Sequence, residues 1–314
     1  MAELERAVGA IIHDCLRVRE AEDVLVVCNP PTQEIGERMR AEAAAAGAEA
    51  VLAVMDERSS HGEEPPPPLA AAMLRSDVVL APTVQSLSHT AARKAANEAG
   101  ARVATLPGVT EEMLARVMSA DMDALRQRGH AIADALANAE RAEITCPNGS
   151  GLELDLRGRE GIPDAGELTD RGAFGNLPCG EGFISPAGAQ GTLVVDGSIA
   201  QIGRVEAPVT LTVEAGHLVD ADRAEGLRLF ELLRVHGPDA TAIAELGIGT
   251  NEHAMLTGEI LEDEKILGTC HVAFGASAGI GGTIQVPVHL DCVIMRPTVT
   301  LDGHPIVRDG ELLA

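Results

Sequence analysis

The chain has no tryptophan and no tyrosine, and only four phenylalanines in 314 residues. The absence of tyrosine excludes a phenol as catalytic acid or oxyanion donor. The scarcity of aromatics argues against a platform that stacks bases or sugars. Basic residues are also few: 24 Lys and Arg against 48 Asp and Glu leave a formal net charge of −24. Phosphate backbones require a basic surface, so no nucleic acid partner is expected. No apolar run reaches the roughly 18 residues of a membrane span, so no membrane partner is expected either. The first residues, Met-Ala-Glu-Leu-Glu-Arg, lack the basic-then-apolar layout of a signal peptide, which points to a cytoplasmic protein. The six cysteines are scattered without a Cys-x-x-Cys pair, which excludes a disulfide framework and a thiolate zinc site.

Other signatures are missing as well. The turn after Cys28 reads Asn-Pro-Pro-Thr rather than a Gly-x-G-x-x-Gly dinucleotide fingerprint. Gly247-Ile-Gly249 lacks the Lys-Ser/Thr of a phosphate loop. Ser60-His61 and Ser88-His89 are neighbouring pairs with no Asp orienter and no nucleophile elbow, so a Ser-His hydrolase is not indicated.

What is present has an α/β pattern. Short apolar strands at 24–28, 51–55, 78–81 and 103–105 alternate with helix-like runs, including 88–99. Such alternation implies right-handed βαβ units and a parallel sheet. The tract 59–68, with four consecutive prolines, reads as an exposed loop. Apolar residues at near-helical spacing across 111–142 predict a helical bridge. Beyond it, strands joined by Gly, Asn and Asp turns, with one helix near 221–233, predict an α+β region of largely antiparallel sheet. The expected organisation is a Rossmann-like α/β domain over 1–108, a helical bridge over 109–142, and an α+β metal-binding catalytic domain over 143–314.

The most informative local feature is His289-Leu-Asp291. Val286, Val288, Leu290 and Val293 read as strand, so His289 and Asp291 point to one face. An imidazole and a carboxylate framed by apolar residues need a partner when buried, and a metal ion is a natural one. Glu181, Glu245, Glu264 and His271 precede the pair. Each has a plainer reading: Glu181 as a loop acid, Glu245 as a turn cap or a partner of Arg204, Glu264 as part of a solvated charge run, His271 as a core histidine. One metal site would account for all of them.

Four ordered segments carry a resemblance. Asn176-Leu-Pro-Cys-Gly-Glu-Gly-Phe-Ile-Ser-Pro186, Glu245-Leu-Gly-Ile-Gly-Thr-Asn251, Leu261-Glu-Asp-Glu-Lys-Ile-Leu-Gly-Thr-Cys-His-Val-Ala-Phe-Gly275 and Gly281-Gly282 through His289-Leu-Asp291 resemble the thermophilic aminopeptidases of the T and S type. The resemblance implies a homodimer with two divalent ions (Zn, Co or Mn) held by Glu181, Glu245, Glu264, His271, His289 and Asp291. It implies hydrolysis of an N-terminal peptide or amide bond in a peptide or small-molecule substrate by a metal-bound hydroxide. Glu245 would bridge, and Glu181 would be a ligand or proton shuttle. The family's catalytic tyrosine falls at Ala278 here, a departure that weakens a peptidase more than a metalloprotein. Two alternatives stand beside this reading. One is a ring-cleaving dioxygenase with one Fe(II), related to the dihydroxypyridine dioxygenases, in which a histidine is expected where Glu245 stands and no acid where Glu181 stands. The other is a degenerate, non-catalytic metal-binding scaffold.

Overall fold

A computed structural model describes residues 2–313, and the described chain divides into two compact units. The first comprises residues 1–120 and 166–179, the second residues 121–165 and 180–314.

The first unit is built on a parallel sheet in the order Glu49–Val54, Asp23–Cys28, Val78–Ala81, Arg102–Thr105, Phe174–Asn176. Its inner strands are almost wholly buried and mainly apolar, as a sheet covered on both faces requires. Local chemistry starts and stops the helices between them. Thr90 accepts a hydrogen bond from the amide of Arg93 at the start of Ala91–Ala99, and Gly100, at φ 108°, ends that helix in the left-handed region. The helix therefore starts three residues later than the apolar pattern suggests. The proline tract is also only partly loop. Pro67 and Pro68 open a helix, Pro67–Met73, because a first turn has no use for their missing amide protons.

The predicted bridge is two helices, Glu111–Val117 and Met122–Asn138. Asp121 separates them: its Oδ1 accepts from the amides of Asp123 and Ala124 and so caps a new helix.

The second unit contains two antiparallel sheets. One has eight strands in the order His217–Ala221, Val209–Glu214, Gly188–Val195, Gly151–Asp155, Arg141–Thr145, Thr298–Leu301, His304–Arg308, Glu311–Leu312. The other has seven, in the order Gly203–Arg204, Ser198–Ile199, His289–Ile294, Cys270–Gly275, Ile243–Gly249, Glu181–Ile184, Gly161–Asp164. The apolar core of this unit includes Ile184, Leu246, Ile248, Val272, Phe274, Leu290 and Cys292 from the seven-stranded sheet. The helix Arg223–Arg234 turns Gly226, Leu229 and Leu233 inward. A Cβ on Gly226 would lie 2.8 Å from Val209 Cγ1, so the glycine lets helix and sheet approach closely. The mixed α/β class expected from the sequence, a parallel-sheet part followed by largely antiparallel sheet, is the class observed.

Candidate metal centre

Strand alternation assembles the centre. In the seven-stranded sheet Leu246, Ile248, Val272, Leu290 and Cys292 fill the apolar core, so residues of opposite parity form the other face. That face carries Glu181, Glu245, His271, His289 and Asp291. The register gives each a small neighbour across the ladder. Glu181 lies opposite Gly249, His271 opposite Gly247, Asp291 and Glu245 opposite Ala273, and His289 opposite Gly275. The glycines make space. A Cβ at Gly247 would stand 2.1 Å from His271 Nε2, and one at Gly249 would stand 2.1 Å from the carbonyl oxygen of Ile266.

The distances are those of groups aimed at common points. His289 Nε2 lies 3.4 Å from Glu245 Oε2 and 3.4 Å from Asp291 Oδ1. His271 Nε2 lies 3.3 Å from Glu245 Oε1 and 2.9 Å from Glu181 Oε2. A metal bound at about 2.0–2.1 Å sets its ligand atoms about 3.0–3.4 Å apart. Three groups converge closely enough to hold an ion: Glu181, Glu245 and His271; Glu245, His289 and Asp291; Glu264, His271 and Asp291. Glu181 Oε2 is buried and has His271 Nε2, 2.9 Å away, as its neighbouring cationic group. The Nδ1–H of His289 donates to the carbonyl of Ala276 at 2.7 Å. That bond fixes the ring's orientation and aims Nε2 at Glu245 and Asp291, as outer partners of metal-bound histidines do. His271 Nδ1 is buried and makes no such bond. All six residues expected from the sequence are thus brought together, and the donor chemistry fits a divalent metal.

Two further residues belong here. Lys265 is wholly buried, with its Nζ bonded to Glu181 Oε1, 2.8 Å from Glu264 Oε1 and 3.1 Å from Asp164 Oδ2. The charge run 262–265 is therefore not a solvated face. Glu262 accepts from the amide of Met255, and Asp263 from the amides of Thr257 and Gly258. Asp164 gave no signal in the sequence, because its strand is a short Gly-Ile-Pro-Asp without alternation; pairing with Glu181 places it. Lys265 was legible only as a member of the run.

The charges are strongly coupled. Burial disfavours ionisation of Glu181, but Lys265 and His271 outweigh it and hold the carboxyl below its usual range. Burial likewise opposes Glu245, and His271 and His289 overcome it. Burial opposes protonation of His271 and His289, yet the neighbouring carboxylates push both imidazoles well above their usual value. For Glu264 burial prevails against Lys265 and raises the carboxyl to about 8; for Asp164 it reaches about 6. A dication entering between these carboxylates would take over the charge that the imidazolium protons now provide.

Fold and site together define a class: an α/β protein with a cluster of carboxylates and histidines that could hold a metal on an antiparallel sheet. Within it the chain belongs to the NicX family of 2,5-dihydroxypyridine 5,6-dioxygenases, whose model matches residues 12–314. A curated relative, the 2,5-dihydroxypyridine 5,6-dioxygenase of Pseudomonas putida strain KT2440, is 24% identical over 225 residues, covering 65% of this chain. The match spans 62% of that relative's length. The structure of 2,5-dihydroxypyridine dioxygenase from the same organism superposes with a TM-score of 0.84 at 20% identity, covering 100% of this chain and 97% of the other. Wild-type AmpT from Thermus thermophilus superposes with a TM-score of 0.72 at 18% identity, covering 100% and 99%.

These findings overturn the hydrolase expectation. The family match and the curated relative name a dioxygenase, and the metallopeptidase and aminopeptidase assignments fall with it. The resemblance to the thermophilic aminopeptidases holds as a likeness of fold. The chemistry agrees with the correction: Ala278, at the peptidase tyrosine position, is exposed and offers no donor. The neighbouring Ser277 hydroxyl accepts from the amide of Ile284 and closes its own loop. No helix among the described residues is long and apolar enough to cross a membrane.

Proposed function

We propose that the chain is a ring-cleaving dioxygenase acting on a hydroxylated aromatic or N-heteroaromatic ring of the dihydroxypyridine type, with one ferrous ion. The observation that carries this reading is the family match across residues 12–314. Glu245, His289 and Asp291 would hold the ion. When bound, it would supply the electronic link between the ring and dioxygen, both atoms of which enter the product as a ring bond opens.

The protein's own residues have separable roles. Glu245 is oriented from both sides, with Oε1 toward His271 and Oε2 toward His289. His289 is locked by Ala276. Phe183 alternates onto the same face as Glu181, opposite Gly247, and is only partly buried, so it offers an apolar surface to a ring. The set differs from the usual two-histidine, one-carboxylate pattern of such iron enzymes. Among the described residues each converging group contains one histidine, and Glu245 stands where a second was expected. The proposal therefore extends to the class of ring and not to one compound, and a panel of rings is the proper test.

The experiment is oxygen uptake by protein loaded anaerobically with ferrous iron and offered dihydroxypyridines and related dihydroxylated rings. Stoichiometric uptake with loss of ring absorbance is expected, together with its loss in Glu245→Gln. No uptake with any ring, by protein shown to contain iron, would refute the reading.

A further inference from the structure

Three metal-type groups share one small centre, yet they are not equivalent. Two of them, Glu181–Glu245–His271 and Glu264–His271–Asp291, contain a carboxylate already bonded to the ammonium of Lys265. The third, Glu245–His289–Asp291, contains none. The histidines divide in the same way. His289, in the third group, has its second nitrogen anchored on the Ala276 carbonyl. His271, common to the other two, has a buried Nδ1 with no hydrogen-bond partner. Metal-bound histidines almost always have that outer bond, so the two observations independently single out one group.

We propose that Lys265 is the resident cation of the acidic half of this centre, so that the centre takes one divalent ion, at Glu245, His289 and Asp291. The inference rests on the metal-dependent reading above and deepens it. The ammonium has no exposed surface and touches three carboxylates, Asp164, Glu181 and Glu264. A divalent ion entering at Glu181 or Glu264 would share a carboxylate with it. Two cations so placed, in a site shielded from water, repel strongly. The Lys265 backbone is held in place: its carbonyl accepts from the amide of Asn251 and its amide donates to the carbonyl of Glu262. Gly249 is needed for this approach, since a Cβ there would lie 2.8 Å from the Lys265 carbonyl carbon. Lys265 is a positioning residue: it holds Glu181 and Glu264 and occupies the charge of a second metal.

The test is a metal count that needs no turnover. Metal-free protein is reconstituted with Mn²⁺, desalted and analysed for metal per chain. One equivalent is expected for the native chain and two for a folded Lys265→Gln, because removing the ammonium releases Glu181 and Glu264. Two equivalents in the native chain would overturn the proposal, as would one in a folded Lys265→Gln. Should that variant not fold, Glu264→Gln and Glu245→Gln in the lysine background decide. Glu264→Gln should keep the single ion with affinity reduced no more than about 10-fold, while Glu245→Gln should lose it. Loss of the ion in Glu264→Gln would overturn the proposal. The dioxygenase reading fails separately. One ion in the native chain and two in Lys265→Gln, without oxygen uptake, would leave the role of Lys265 standing, whereas two native ions with uptake would do the reverse.

Discussion

Gly247→Ala is a single-methyl probe of the centre. The new Cβ would lie 2.1 Å from His271 Nε2, 2.2 Å from Cε1 and 3.0 Å from Cδ2. Ordinary contact begins near 3.4 Å, so the ring must move by about 1.3 Å (3.4 less 2.1). His271 is fully buried and cannot swing into solvent. The displacement takes Nε2 away from Glu181 and Glu245, now 2.9 and 3.3 Å distant. Overpacking costs about 1–3 kcal/mol. Loss of one charge-assisted contact adds about 1.5–3 kcal/mol. Reduced freedom of the unfolded chain returns only about 0.4–1 kcal/mol. The net is a destabilisation of about 2–5 kcal/mol. Urea unfolding of metal-free protein measures it, with Gly279→Ala as control because a Cβ there meets nothing within 4 Å. The control should match the parent or exceed it by no more than about 1 kcal/mol. Equal stability of Gly247→Ala and the control would refute the placement of His271.

Other outcomes follow from the same geometry. Glu245→Gln and Asp291→Asn should each abolish stable metal retention, read as metal per chain after desalting, while secondary structure by circular dichroism is preserved. Chelator treatment should lower the melting temperature: metal at 100 times its dissociation constant stabilises by about 2.7 kcal/mol, so its removal costs several degrees. Leu229→Ala, at a fully buried position, should cost about 2–5 kcal/mol in urea unfolding. In the first unit Arg102 bonds both carboxylate oxygens of Glu22, at 2.9 and 2.6 Å. Burial opposes ionisation of Glu22, but Arg102 outweighs it and its folded pKa lies below the ordinary 4.5. The stabilisation is therefore present above that value and lost as pH falls through the folded one. Arg102→Ala should cost about 1–2 kcal/mol near neutrality, less than a fully buried pair because Glu22 keeps some contact with water, and should flatten acid unfolding curves.

The sequence by itself determined the class of fold, because periodicity and turn residues are local properties. Apolar runs between helix-like stretches predicted the parallel strands, and the Gly, Asn and Asp turns of the second half predicted its antiparallel sheet. It also supplied the six candidate ligands: strand alternation points His289 and Asp291 one way, and the likeness to the thermophilic aminopeptidases singled out Glu181, Glu245, Glu264 and His271 beside them. Other features were decided at a distance. Asp164 reaches the centre only because Gly161–Asp164 pairs with Glu181–Ile184, a partnership that nothing in four short residues announces. The charge run 262–265 reads as solvent-facing until Lys265 is seen to be enclosed by acids from two other segments. Gly247 and Gly249 look like turn residues and are instead the empty places into which His271 and the Lys265 backbone fit. Residue identity determines which groups can hold a cation. Only the register of neighbouring strands decides which of them meet, and whether the cation between them is a metal or a lysine.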